Sequence, residues 1–424
     1  MAGPDSARVA EAVWRMEGAR IIGALARMLR DVGLAEELAQ DALLQALESW
    51  PAAGVPDNPA AWLTQVAKRR ALDHLRHQAL QRDKEAAITW EEETRLRDAQ
   101  AAPDAALEQE DIGDDLLRLM FVACHPVLST EGRAALTLRM VAGLSTGEIA
   151  RAFLVAEATV AQRIVRAKRS LAEARVPFAV PDGAERRARL ASVLQVIYLL
   201  FNEGYSASAG DDWLRPQLCE EALRLGRILA ELMPEEGEVH GLVALMEIQS
   251  SRSRARVDAA GKPVLLMDQD RSRWDQLLIR RGLAALERAA THGSYGPYAL
   301  QAAIAACHAR AVRAADTDWT RIAALYEALA ALTPSPVVEL NRAVAVSMAY
   351  GPAAGLELVD RLQDAPALRD YHLLPSVRGD LLAKLGRAAE ARAEFERAAA
   401  LTRNLREREL LLARANSCST QLSS

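Results

Sequence analysis

Cysteine is scarce in this chain: Cys124, Cys219, Cys307 and Cys418 are the four in 424 residues, and no two form a C-x-x-C pair. That scatter argues against structural zinc and against a disulfide framework. Aromatic residues make up only 4%, and no run alternates Val, Ile and Thr as a half-buried strand does. No segment approaches the roughly 18 uninterrupted apolar residues of a membrane span. The opening MAGPDSARVAEAVWRMEGAR also lacks the apolar centre of a secretory signal. What is plentiful is Ala, Leu and Arg, so helix formers dominate. An almost all-α cytoplasmic protein with length for roughly two to four domains is expected.

The formal net charge is -5, but its distribution says more than its sum. From Ala60 to Lys84 six Lys/Arg face two Asp, and from Thr130 to Arg175 eight Lys/Arg face four Glu. Between them, Glu85 to Asp115 carries eleven acidic residues and only Arg95 and Arg97. Two basic islands joined by an acidic bridge suggest two nucleic-acid contacts separated by a segment that does not bind DNA.

Residues 143 to 171, GLSTGEIARAFLVAEATVAQRIVRAKRSL, read as two short helices around a tight connection. Ser145 and Glu148 have capping-box spacing, each side chain placed to take one free backbone N–H of the other. Ile149, Ala150 and Phe153 form the inner face of the first helix. Val160, Ile164, Ala167 and Leu171 form that of the second. Gln162, Arg163, Arg166 and Arg169 lie on the other side, where such side chains can read base edges and hold phosphates. The bland reading, a solvated basic face, is outweighed by the capping box and the local charge. Ala156 stands where a capping Ser is usual, so the second helix starts without a side-chain cap.

The first basic island, PAAWLTQVAKRRALDHLRHQ, combines Lys68, Arg69, Arg70 and Arg76 with Trp62, His74 and His77. Cations mixed with planar side chains suit unstacked bases, although Trp62 also reads as a core anchor and Asp73–Arg76 as an exposed pair. Pro59 suits the first turn of this helix, with Asp57 or Asn58 as its cap. The segment PAAGVPDNP before it breaks the chain. Further upstream, Glu36, Glu37, Gln40 and Asp41 lie beside the apolar run Leu34, Leu38, Ala42, Leu43 and Leu47, an acidic face suited to a basic protein partner.

These motifs, AEELAQDALLQALESW, PAAWLTQVAKRRALDHLR and the helix-turn-helix, in that order over residues 10 to 178, resemble a bacterial RNA polymerase sigma factor. The type is the two-domain extracytoplasmic-function (ECF) sigma factor of the sigma-70 family. The resemblance implies that Glu37, Gln40 and Asp41 dock on the β′ clamp helices of core RNA polymerase, with the β flap as a further contact. It implies that Trp62, Lys68, Arg69, Arg70, His74 and Arg76 melt and hold the −10 promoter element. Gln162, Arg163, Arg166 and Arg169 then face the −35 element. Arg70 stands where the family usually has Asn. The implied organisation is region 2 over 8–84, an acidic linker over 85–112 with at most a frayed turn, and region 4 over 113–178.

The rest of the chain, 179–424, is helix after helix. LLFNEGYSAS, LLMDQDRSRWD, GPYALQAAIAACHA and PSPVVELNRAVAV resemble the ECF subgroup with a long C-terminal extension like tetratricopeptide (TPR) repeats. Units starting at Thr317, Gly351 and Gly386 recur at 34 and 35 residues, the period of that helix pair, over about 317–415. Stacked pairs of this kind are scaffolds for contact, and an intramolecular contact with the sigma domains is one role for them. Two motifs invite another reading. Glu203 in NEGY could be a base or a ligand, or Gly204 could simply end a buried helix through a left-handed turn. Asp268, Asp270 and Asp275 could hold a metal, or Asp270 could cap a helix beginning near Ser272.

The expectation is a non-catalytic specificity subunit of RNA polymerase with promoter DNA and core polymerase as partners, no cofactor, no metal and no membrane. A one-component activator with a TPR-type sensor, and a DNA-tethered enzyme, are the alternatives.

Overall fold

The computed structural model describes residues 4–82, 109–153, 155–205, 215–258, 263–293, 295–402 and 404–422. The described residues form eighteen α-helices and no strand beyond a single bridge between Val257 and Pro263, so the all-α expectation holds. The chain divides into two compact units, Met1–Leu199 and Leu200–Ser424.

The first unit opens with α1 (Pro4–Leu29), α2 (Val32–Ala53) and α3 (Pro59–Arg82). Ile21, Ile22 and Leu25 of α1 are buried, with Ala35, Ala39, Ala42 and Ala46 of α2 and Leu63, Ala67 and Ala71 of α3. The alanines recur every three or four residues, and the small side chain lets neighbouring helices approach closely. Asp31 caps α2 by accepting the Leu34 N–H at 3.0 Å, and Asn58 caps α3 by accepting that of Ala61 at 3.1 Å. Helix α2 runs on through Pro51 and stops at Gly54, whose φ of 87° suits glycine.

Residues 85–108 of the expected acidic linker lie outside the described residues, and from Gln109 the chain is α4 (Gln109–Ala123). Helices α5 (Thr130–Met140), α6 (Thr146–Phe153) and α7 (Glu157–Glu173) follow, packed on Leu119, Phe121, Leu136, Leu138 and Ile149. The first part of α8 (Gly183–Tyr205) belongs to this core. Arg189 donates to the Phe121 carbonyl at 3.0 Å and Ser192 to the Cys124 carbonyl at 2.6 Å. These bonds satisfy backbone acceptors that the end of α4 leaves open.

In the second unit, α9 (Pro216–Leu232), α10 (Gly237–Ser250), α11 (Gln276–Thr291) and α12 (Pro297–Arg310) precede three helix pairs. Every residue of α10 from Val239 to Ile248 is buried, as expected of a helix covered on all sides. The pairs are α13 (Trp319–Leu332) with α14 (Pro336–Tyr350), α15 (Pro352–Asp360) with α16 (Leu373–Lys384), and α17 (Ala388–Leu401) with α18 (Leu405–Leu422). Gly351 and Gly386, with φ of 100° and 76°, stand one and two residues before α15 and α17. Successive helices pack on one another, the nearest-neighbour pattern of a repeat array.

Gly204 is corrected by the structure. It lies within α8 and does not adopt a left-handed backbone. What requires glycine is proximity: a Cβ there would sit 2.6 Å from the Cys219 amide nitrogen.

Candidate nucleic-acid interface

Helix α6 starts as its capping box requires. The Ser145 N–H donates to Glu148 Oε2 at 2.8 Å, and the Glu148 N–H donates to Ser145 Oγ at 3.2 Å. Burial pushes the Glu148 carboxyl up. The Ser145 hydrogen bonds and the Arg15 and Arg151 charges outweigh it and hold the group below the usual carboxylate range.

Helix α7 buries Val160, Ile164, Ala167 and Leu171. The opposite side presents Gln162, Arg166 and Arg169 exposed and Arg163 half-buried. Arg163 and Arg166 have no side-chain partner among the described residues, whereas Arg169 pairs with Glu173 at 2.7 Å. Ala156, at the start of α7, makes no side-chain cap. The helix thus offers a row of guanidiniums to solvent from a buried apolar base.

On α3, Lys68 is half-buried and Arg69 exposed, and neither has a side-chain partner among the described residues. Arg70 is committed elsewhere: it donates to Asp41 and to Gln45 of α2, each at 3.2 Å. One residue of the expected −10 set is therefore tied to one of the expected polymerase set. His74 meets Gln78 at 2.9 Å, and Arg76 pairs with Asp73 at 3.4 Å on the surface. Trp62 is half-buried, its ring 5.4 Å from that of Trp50 in an edge-on arrangement.

The acidic face of α2 is not uniform. Glu37 is exposed, and Gln40 and Asp41 are half-buried, but Glu36 is only 3% exposed. Its carboxylate accepts from Arg139 Nε of α5 at 2.9 Å and forms an ion pair with Lys168 of α7. Lys168 also stands 3.8 Å from Glu37. Arg15 of α1 pairs with Glu148 of α6, and Asp115 of α4 with Arg27 of α1 at 3.2 Å. Charged contacts therefore join α1 and α2 to α4 through α7. Sequence reading set Glu36 on the polar face. Its place four residues after buried Val32, among the alanines at 35, 39 and 42, was the available signal that it points inward.

Of the residues of the enzymatic alternatives, Glu203, Asp270 and Asp275 have partners within the fold. Glu203 forms an ion pair with Arg215. Asp270 caps only the short turn Arg271–Arg273, through Ser272 N–H at 3.0 Å. The helix itself, α11, is capped by Asp275, which accepts from Leu277 and Leu278. Among the described residues no three His, Cys, Asp or Glu side chains gather as a metal site, and no helix is long and apolar enough to cross a membrane. All four cysteines are free and buried. Burial pushes the Cys124 thiol up to about 11 and that of Cys219 to about 12.

A helix-turn-helix with an arginine-bearing second helix, preceded by a three-helix domain with its own cationic helix, defines an α-helical DNA-binding protein. Comparison with known proteins narrows the class. Residues 13–81 match the family model for Sigma-70 region 2, and residues 118–171 that for Sigma-70, region 4. Residues 189–290 match a family of unknown function (DUF6596). An uncharacterized protein of Rhizobium meliloti (strain 1021) is 48% identical over 387 residues, 91% of this chain and 90% of its own length. The ECF RNA polymerase sigma factor SigK of Mycobacterium ulcerans (strain Agy99) is 30% identical over 156 residues, 36% of this chain and 78% of SigK. The probable ECF RNA polymerase sigma factor SigI of Mycobacterium tuberculosis (strain ATCC 25618 / H37Rv) is 27% identical over 181 residues, 41% of this chain and 58% of SigI. The chain belongs to the extracytoplasmic-function group of the sigma-70 family.

Proposed function

We propose that the chain directs core RNA polymerase to specific promoters from the cytoplasm as a non-catalytic subunit, and that its helical extension regulates this step. In this reading α7 meets the −35 element through Gln162, Arg163, Arg166 and Arg169. Helix α3 meets the −10 element through Trp62, Lys68, Arg69, Arg70, His74 and Arg76. Glu37, Gln40 and Asp41 on α2 serve the clamp helices of the β′ subunit, and region 4 serves the β flap. Regions 2 and 4 are assigned to 8–84 and 113–178, and the extension to 179–424.

The observation that carries the reading is the pair of cationic rows on α3 and α7, in a chain of the sigma-70 family. Arg163 and Arg166 have no side-chain partner among the described residues, and such side chains are available to phosphates and base edges. The net charge of -5 accords with a subunit that binds DNA weakly alone, because core polymerase supplies much of the attraction to the promoter.

Reconstitution tests it. Purified chain added to core polymerase is expected to start transcripts from a target promoter that core alone does not use. Tight promoter binding by the chain alone, without association with core, would instead favour the one-component activator. For the extension, a chain ending after Leu199 keeps Arg189 and Ser192 on the α4 core, and its promoter output should differ from that of the full chain. Equal output removes the regulatory role.

A further inference from the structure

Asp270 and Asp275 of DQDRSRWD are spent on capping, but its cations are not accounted for. After α10 the chain turns through Ser253–Ala255, and later through Arg271–Arg273, into α11. Three guanidiniums gather at this corner. Arg252 donates to Gln249 at 3.0 Å and to Gln269 at 3.3 Å. Arg271 donates to the His308 and Ala311 carbonyls at 2.6 and 2.7 Å, and to Thr317 Oγ1 at 3.2 Å. Their Cζ atoms stand 5.5 and 4.9 Å from the Trp274 ring. Buried Arg256 stacks 3.6 Å over the Tyr205 ring.

Every hydrogen-bond partner of Arg252 and Arg271 among the described residues is neutral, and Asp316 acts on Arg271 only through its charge, without an ion-pair contact. Elsewhere in this unit Arg227 pairs with Glu247, and Arg378 with both Asp360 and Glu394, at 2.8 Å each. Two half-buried arginines against one indole, neither in an ion pair among the described residues, repel one another.

A second observation points the same way. Among the described residues Trp274 Nε1 and His308 Nδ1 are buried without a hydrogen-bond partner, and their residues are only 4% and 7% exposed. Ser250 Oγ and Arg271 Nε are also orphaned. Buried polar atoms normally find partners, and a local concentration of exceptions calls for an explanation. Capping the end of α12 accounts for the carbonyl contacts of Arg271. It accounts neither for a second like charge beside it nor for the orphaned donors.

We propose that this corner binds a compact oxyanion, the carboxylate or phosphate group of a small molecule, through Arg252 and Arg271 with Trp274 and His308 as further polar partners. The planar guanidinium suits either group, because it offers paired donors to paired oxygens. The inference concerns the extension alone and does not depend on how the chain reads promoters.

Equilibrium dialysis of the full chain against inorganic phosphate, and separately against malonate, at fixed ionic strength tests it. One saturable site per chain is expected for at least one of the two, and which one identifies the group. Arg252→Gln should weaken it about tenfold or more, the usual cost of losing a charge-assisted hydrogen bond. Arg166→Gln, on α7, should leave it intact. Should Arg252→Gln fail to fold, the wild-type chain still decides, since a bound anion must raise the pKa of His308 as read by ring ¹⁵N shifts. No saturable binding of either anion, binding lost in Arg166→Gln but kept in Arg252→Gln, or a His308 titration unmoved by the anion overturns the proposal.

Discussion

The arginines of α7 and those of the repeat helices share a side chain and have opposite surroundings. On α7, Arg166 is exposed and has no partner among the described residues. In the extension, Arg378 bridges Asp360 of α15 and Glu394 of α17, and Arg414 pairs with Asp380 while lying 4.4 Å over the Phe395 ring. One set is held out for something else, and the other fastens successive helices together. Arginine content alone does not separate the two; what separates them is how many guanidiniums the fold leaves uncommitted. The first unit contains both kinds, since Arg139 and Lys168 converge on Glu36 while Arg166 of the same helix as Lys168 faces water.

The largest effect should come from breaking an inward pair. Glu36→Ala leaves Arg139 and Lys168 half-buried without their carboxylate, at a cost of about 3 kcal/mol. Denaturant unfolding of the full chain should show it in the transition of the first unit, and an unchanged midpoint would mean that the pair is solvent-like. Next comes a pH effect in the extension. Burial first, and then the Arg252 and Arg271 charges, push His308 down to about 4. The unfolded chain takes up this proton near 6.5 and the folded chain near 4. Stability from this group is therefore full above pH 6.5 and is lost as the pH falls toward 4, at most about 3 kcal/mol. Thermal melts of the wild type and His308→Gln should converge across that window; parallel curves would contradict the assignment.

The outward arginines should behave in the reverse manner. Arg166→Ala is expected to reduce promoter-specific transcription about tenfold, with a change in folding stability within about 0.5 kcal/mol. A comparable loss of stability would place Arg166 with the fastening arginines and collapse the distinction. The smallest effect concerns the helix that carries it. Ala156→Ser supplies the missing cap of α7 and should stabilise the first unit by about 1 kcal/mol, read as a raised melting temperature.

Much of this was legible in the sequence where the signal is local. The Ser145–Glu148 capping box and the inner face Val160–Ile164–Ala167–Leu171 follow from spacing within a few turns, and the cap of α3 narrows to Asp57 or Asn58, of which Asn58 serves. What escaped depends on residues far apart. Glu36 meets partners more than a hundred positions away, so its row of neighbours could hint that it turns inward but could not name Arg139 or Lys168. Gly204 resembles a helix terminator because the approach of Cys219 is invisible in one dimension. Asp270 and Asp275 both have the composition of caps, and only the path of the chain decides which one starts the long helix. The exposed cations of α3 and α7 are apparent from the sequence, but not that Arg70 is occupied by Asp41 and Gln45.

The four buried thiols carry a practical consequence. Burial keeps all four from oxidants and alkylating reagents while the fold is closed, and it also pushes the thiols of Cys124, Cys219 and Cys307 up. They answer only when the chain opens. Cys124 sits in the first unit, and Cys219, Cys307 and Cys418 sit in the second. Timed labelling followed by mass measurement would therefore clock the opening of each unit separately in one unmodified protein, with and without DNA, core polymerase or a candidate anion.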